Sequence, residues 1–190
     1  MLSGPSGVGK DVVLARMKEL GYPLHYTVTA TTRPQREGET DGADYHFISA
    51  ARFEEMVERG ELLEWAKVYG HWYGVPKRQV EEALGRGLDV IVKADVQGAA
   101  TIKGAVPQAL LIFLAPPSME QLEERLRQRK TESTIALNLR IETAREEMKC
   151  LPMFDYVVVN HQDRLDLALA QIDAIITAQK CRVNQMEVEI

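Results

Sequence analysis

Gly4-Pro5-Ser6-Gly7-Val8-Gly9-Lys10 sets Gly4, Gly9 and Lys10 at the first seven positions of the pattern G-x-x-x-x-G-K-[ST]. Glycines at these points let successive backbone N–H groups turn toward one anion. The residues from Asp11 to Leu20 read as the helix whose positive end completes the cradle. Lys10 is then the cation that reaches the β- and γ-phosphates of a nucleoside triphosphate, and Gly4 to Asp11 is the expected ATP-binding segment. The bland alternative is an ordinary glycine-rich turn before a helix. At the eighth position Asp11 stands where a Ser or Thr hydroxyl helps hold Mg²⁺. Its carboxylate is a hard-oxygen ligand for that ion, and equally a first-turn acid that complements the helix dipole without any metal. The apolar run Val90-Ile-Val-Lys-Ala-Asp95 ends on a second acid, so Asp11 and Asp95 are the metal candidates. A strand-end Asp is also common in α/β proteins for other reasons.

A second cluster lies between Tyr26 and Phe47, where hydroxyl side chains accompany Arg33, Arg36 and Tyr45. Arginine's planar fork matches a phosphate bidentately, and a phenol can add a hydrogen bond to the same group. Solvated loop charges are the alternative.

These residues need a scaffold. At 190 residues and 45% hydrophobic, the chain can bury one sizeable core. Leu88–Asp95, Ala109–Leu114 and Tyr156–Asn160 are short apolar runs that read as strands covered on both faces. Ser118 to Arg129 puts Met119, Leu122 and Leu126 on one helical face, and Arg164 to Gln179 does the same with Leu165, Leu169, Ile172 and Ile176. Strands alternating with helices imply an α/β fold with a mainly parallel sheet between two helix layers. The stretch from Arg33 to Gly74, rich in Gly, charge and aromatics, interrupts that rhythm and reads as a lobe inserted over the strand ends, where such sheets bind ligands. Met1-Leu2-Ser3 leaves little room for the strand expected before the phosphate loop, so that strand is short or translation starts upstream.

The net charge of −5 argues against a surface that holds nucleic acid by bulk attraction. Cys150 and Cys181 have neither C-x-x-C spacing nor a disulfide framework around them. No apolar run reaches the roughly 20 residues of a membrane span and no signal peptide is apparent, so a cytoplasmic protein is expected.

Over nearly its whole length the chain resembles guanylate kinase. The resemblance rests on the phosphate loop, Thr31-Thr-Arg33 with Arg36 and Gly38-Glu39, Gly42-Ala-Asp-Tyr45, Glu61-Leu-Leu-Glu-Trp65, Tyr73-Gly74, Asp95-Val-Gln-Gly98, Pro116-Pro-Ser118 and Phe154-Asp-Tyr-Val-Val-Val-Asn160. It implies a P-loop NTPase-type three-layer fold and the reaction of ATP with GMP to give ADP and GDP, with Mg²⁺. By the same resemblance Arg33, Arg36 and Tyr45, with Tyr73 beside them, hold the GMP phosphate, while Thr29 and Glu64 read guanine. A carboxylate accepts from both guanine N1–H and the exocyclic amine, a hydroxyl donates to O6, and adenine matches neither. Arg125, Arg129 and Arg140 fall at the lid and phosphate-clamping positions, and Asn160 falls near the adenine of ATP. Beyond Asp11 the chain departs from the family pattern twice, with Val75 where a Ser or Thr contacts guanine and Lys93 where an acid precedes Asp95 by two residues.

The reading is one domain over residues 1–190. Its core is 1–32, 81–128 and 147–190, its GMP-binding lobe 33–80, and its lid 129–146, which closes to exclude water. Partners are ATP and GMP, with no nucleic acid or membrane, and monomer or homo-oligomer is left open. Two alternatives remain: a kinase of this fold acting on another phosphorylated acceptor such as a pentose phosphate, and a non-catalytic interaction module.

Overall fold

The computed structural model describes residues 1–128, 134–183 and 188. Its elements run β1 Leu2–Ser3, α1 Lys10–Glu19, β2 Leu24–Tyr26, β3 Thr29–Thr31, β4 Tyr45–Phe47, α2 Ala50–Glu58, β5 Leu62–Val68, β6 His71–Pro76, α3 Lys77–Leu84, β7 Asp89–Ile91, α4 Val96–Ala105, β8 Ile112–Ala115, α5 Met119–Gln128, α6 Thr134–Lys149, β9 Tyr156–Val159 and α7 Leu165–Lys180.

All pairings in the core are parallel. β1, β8 and β9 form one ribbon and β2 and β7 another. A parallel bridge of Leu2 with Lys93, and the bond from Leu2 N to Val92 O at 2.9 Å, join them in the order β2-β7-β1-β8-β9. Strand side chains alternate between faces, and β8 shows what this sheet does with that alternation. Ile112 and Leu114 enter a cluster with Val13, Met17, Leu122, Ile141 and Ile172, while Phe113 and Ala115 enter another with Val96 and Phe154. Helices therefore cover both faces, as the continuous apolar runs require.

Three expected strands differ at their ends. The Leu88–Asp95 run pairs with β2 only over Asp89–Ile91, because β2 offers three residues, and beyond them it keeps a single parallel bridge, Lys93 with Leu2. Asp95 consequently does not end a strand. It caps α4, its Oδ1 accepting from Gly98 N at 2.8 Å. β8 begins at Ile112 rather than Ala109, and β9 stops at Val159. The helix read from Ser118 starts at Met119, with Ser118 Oγ 3.4 Å from Gln121 N.

From β2 the chain passes straight into a second, mixed sheet of order β4-β3-β6-β5. It stands at the same end of the core as the phosphate loop. No helix among the described residues is long and apolar enough to cross a membrane.

Candidate active site

Gly9 adopts φ 105° as the N-cap of α1, and a Cβ there would stand 2.5 Å from Asn160 Nδ2. Only glycine fits both the left-handed backbone and the close neighbour. Asn160, buried at the end of β9, spends its amide on the loop itself: Nδ2 donates to Val8 O at 2.8 Å. Arg125 from α5 supports the same place, its Nη2 donating to Asn160 O at 3.0 Å and its Nη1 to Val8 O at 3.4 Å. Both residues thus brace the loop from behind.

Lys10 Nζ folds over the loop and donates to Gly4 O at 2.5 Å and Pro5 O at 3.2 Å. Burial lowers its pKa, and Glu147 and Asp11 act in the opposite sense. Glu147 was not singled out by the sequence reading. It sits buried on α6 and accepts from Ser6 N at 3.2 Å, so a carboxylate meets a loop N–H that a phosphate would use. Burial raises its pKa, against the pull of Lys10. A signal existed: Ile141, Ala144 and Glu147 form the buried row of α6 at three-residue spacing, and a charge on an apolar row needs a reason. Arg140, on the same helix, donates from Nη2 to Ser6 Oγ at 3.0 Å and lies 5.5 Å from the Tyr69 ring centroid. Arg129 lies outside the described residues.

The acceptor candidates share one face of the mixed sheet. Thr29 pairs with Tyr45 across β3 and β4, and Glu64 with Val75 across β5 and β6. The antiparallel register that sets Thr31 beside Tyr73 and Ala30 beside Gly74 puts Thr29 beside Val75 when continued by one residue. Tyr45, Thr29, Val75 and Glu64 are therefore one rung, and Tyr73 stands on the next rung of the same face. Thr29 is 5% exposed and its hydroxyl has no hydrogen-bond partner among the described residues. Val75 is fully buried in a cluster with Val80, Val92 and Ile102, which gives its missing hydroxyl a packing explanation.

Glu64 is 4% exposed and lies over the first turn of α4, where a Cβ on Gly98 would stand 2.5 Å from its Oε2. Burial, aided by the charge of Asp95, raises its pKa to about 8. An acid whose folded pKa is raised stabilises the fold fully below its unfolded value near 4.5 and loses that contribution as pH climbs through 8. Ligand-free Glu64→Gln should therefore match the parent in stability near pH 4 and exceed it by on the order of a few kcal/mol above pH 9. Urea denaturation of both proteins across that range checks this.

Arg33 is buried and bidentate to Glu39, at 3.0 and 2.7 Å, with the Tyr45 ring centroid 5.3 Å from its guanidinium carbon. The buried guanidinium is thus neutralised by an acid that phosphate can replace. Glu39 also accepts from Arg36 N at 2.8 Å, while the Arg36 side chain is exposed.

Lys93 connects the two halves of the site. Its Nζ lies 2.6 Å from Asp11 Oδ1 and 3.1 Å from Tyr45 Oη. Burial works against its charge, but Asp11 and Tyr45 outweigh that and raise its pKa. No cluster of three or more His, Cys, Asp or Glu suited to a metal occurs among the described residues. Mg²⁺ carried on nucleotide phosphates keeps several waters and uses one or two carboxylates, so Asp11 and the second oxygen of Asp95 fit that lighter requirement. A cavity of about 650 Å³ lies elsewhere. It opens at the other end of the core strands, is lined by Leu24, Val90, Val106 and Ile176, and lacks any part of the phosphate loop.

Known proteins match this arrangement along its length. The family model described as "Guanylate kinase" covers residues 1–179. "Guanylate kinase 2, chloroplastic/mitochondrial" from Oryza sativa subsp. japonica is 46% identical over 100% of this chain and 67% of its own length. A guanylate kinase from Gloeobacter violaceus is 47% identical over 93% of this chain and 85% of its own. A solved guanylate kinase structure from Anaplasma phagocytophilum superposes with a TM-score of 0.77 at 30% identity, covering 97% of this chain and 86% of that one. With the phosphate loop, the polar rung and the arginine-bearing helix all inside those matched spans, the chain belongs to the guanylate kinase family.

Proposed function

We propose that the chain transfers the γ-phosphoryl group of ATP to GMP, giving ADP and GDP, and that the residues described above carry the reaction. The supporting observation is the polar rung: a buried carboxylate and a buried, unpartnered hydroxyl on one sheet face, beside an arginine and two tyrosines suited to a phosphate. Guanine satisfies both polar groups, its N1–H and amine donating to Glu64 and its O6 accepting from Thr29. Because the base needs the ionised carboxylate, GMP binding at neutral pH releases a proton.

Arg33, Arg36, Tyr45 and Tyr73 hold the GMP phosphate, with Glu39 giving up Arg33 as it arrives. An oxygen of that phosphate bonds to Pγ as the bond from Pγ to the ADP oxygen breaks, ADP leaving with the electron pair. Lys10 and the loop amides hold the β- and γ-oxygens; Arg125 and Arg140 set the loop, with Arg140 able to turn from Ser6 to the transferred group. Asp11 and Asp95 would hold Mg²⁺ through water, and the ion would neutralise ATP oxygens. Residues 1–32, 81–128 and 147–190 serve as core, 33–80 as acceptor lobe and 129–146 as lid. Cytoplasmic placement belongs to the same proposal, and the free thiols of Cys150 and Cys181 fit a reducing compartment.

Assays with ATP, Mg²⁺ and GMP, AMP or a pentose phosphate test the acceptor. Glu64→Gln should reduce the preference for GMP over AMP by about 1.5–3 kcal/mol in kcat/KM, the worth of a charged hydrogen bond. An unchanged ratio would remove Glu64 as the guanine reader.

A further inference from the structure

We propose that Lys93 is a further catalytic residue, a cation that bridges the γ-phosphate of the donor and the phosphate of the acceptor, with Asp11 as the counter-ion that holds it in place before they bind. The proposal rests on the GMP kinase reading above.

Geometry carries it. Lys93 follows β7 at the seam between the core sheet and the acceptor lobe, its backbone held in the parallel bridge to Leu2. One of its three N–H donors goes to Asp11, in the first turn of the donor helix, and one to Tyr45, on the acceptor rung. The third has no partner among the described residues and is left for a ligand. The ammonium also lies 4.5 Å from the Tyr45 ring centroid, so its stem and head are held on the acceptor side. Its side chain is 18% exposed, whereas that of Asp11 is 77% exposed. The anchored member is the cation and the wet member is the acid. An ion pair with so exposed a partner is worth little, and a phosphate carrying more charge can take the acid's place.

What the reaction needs agrees with that placement. Donor and acceptor phosphates are both anionic and must approach to bonding distance, and in the transition state charge spreads over the equatorial oxygens of the transferred group. A preset cation between them lowers the repulsion and stabilises that charge without moving a proton. Lys10 approaches from the donor side. Lys93 is set between the two sides.

The test uses the full chain with Lys93→Met, which keeps the stem and removes the charge, and Lys93→Arg, which keeps the charge. Measured quantities are kcat, the KM values for ATP and GMP, thermal unfolding, and equilibrium affinity for ADP, for GMP and for an analogue joining adenosine and guanosine through an oligophosphate. For Lys93→Met, kcat should fall by about 30-fold, somewhat less than the roughly 10²–10³-fold lost with a fully preset oxyanion donor, because Lys10 and the loop amides stay in place. The joined analogue should weaken by about tenfold more than the combined losses for ADP and GMP, because only it presents both phosphates at once. Lys93→Arg should recover most of kcat. A mere tether between lobe and loop would instead lower the unfolding temperature and weaken separate and joined ligands alike, which would overturn the proposal. So would a Lys93→Met kcat within about threefold of the parent. A parent enzyme that phosphorylates no GMP would overturn the acceptor reading and this proposal with it, whereas an active parent with an unaffected Lys93→Met overturns this proposal alone.

Discussion

Lys10→Ala should lower kcat by about 10³-fold while the protein stays folded, the loss expected when a preset charge on a transferring phosphoryl group is removed. Among the described residues the Lys10 ammonium donates only to carbonyls of its own loop, Gly4 O and Pro5 O, and the nearby acids Glu147 and Asp11 offset its charge. None of those contacts belongs to the apolar core, so truncation should cost about 1 kcal/mol in stability, the worth of ordinary hydrogen bonds. The loop keeps its shape by other means: Gly9 in its left-handed conformation, and Asn160 and Arg125 on Val8 O. Steady-state kinetics read beside denaturant unfolding separate the two effects. Activity within threefold of the parent would take Lys10 out of the mechanism, and an unfolded variant would show that the lysine holds the loop rather than the phosphate.

What could be seen in the sequence follows how local each determinant is. The phosphate loop was legible because its turn needs glycines at fixed offsets and its helix follows at once. Tyr45 was legible from the arginines beside it, whereas Thr29 and Glu64 were legible only through family motifs, since no periodicity says that β3, β4, β5 and β6 align all three on one rung. Asp95 was misplaced at a strand end because an apolar run sets only the upper limit of a strand. Pairing partners set the rest, and β2 stops β7 at Ile91, leaving Asp95 to cap α4. Glu147 reaches the loop from 141 residues away through the docking of α6, and only its place on an apolar row hinted at a role. The two departures at Asp11 and Lys93 looked independent because 82 residues separate them, yet the fold makes them one ion pair.

That pairing gives the second large effect. The family pattern has a hydroxyl after the loop lysine and an acid two residues before the Asp of Asp-Val-Gln-Gly; this chain has Asp11 and Lys93 at those places. Compared with that pattern, the acid stands on the helix and a cation stands in the acid's place, so either difference alone would leave the site with a charge the other does not balance. Of the changes at these two places Lys93→Asp should be the most damaging, lowering kcat/KM for ATP by about 10³-fold. Part of that is loss of the cation, and the remainder, about 2 kcal/mol, is a new carboxylate facing Asp11 and the phosphates across one small site. Asp11→Ser removes a carboxylate and leaves Lys93 for the phosphates, so alone it should cost less than fivefold. The double variant Asp11→Ser, Lys93→Asp restores one acid and one hydroxyl, and should recover at least tenfold over Lys93→Asp, a coupling of at least about 1.4 kcal/mol. It stays below the parent because no side chain replaces the lysine. Binding supplies a readout independent of turnover: the Mg²⁺ concentration that half-saturates the gain in ADP affinity should fall in Lys93→Asp, whose extra carboxylate attracts the ion, and rise back toward the parent value in the double variant. Effects of the two single changes that simply add, within about 0.5 kcal/mol in both kinetics and binding, would show that Asp11 and Lys93 touch without acting as one unit.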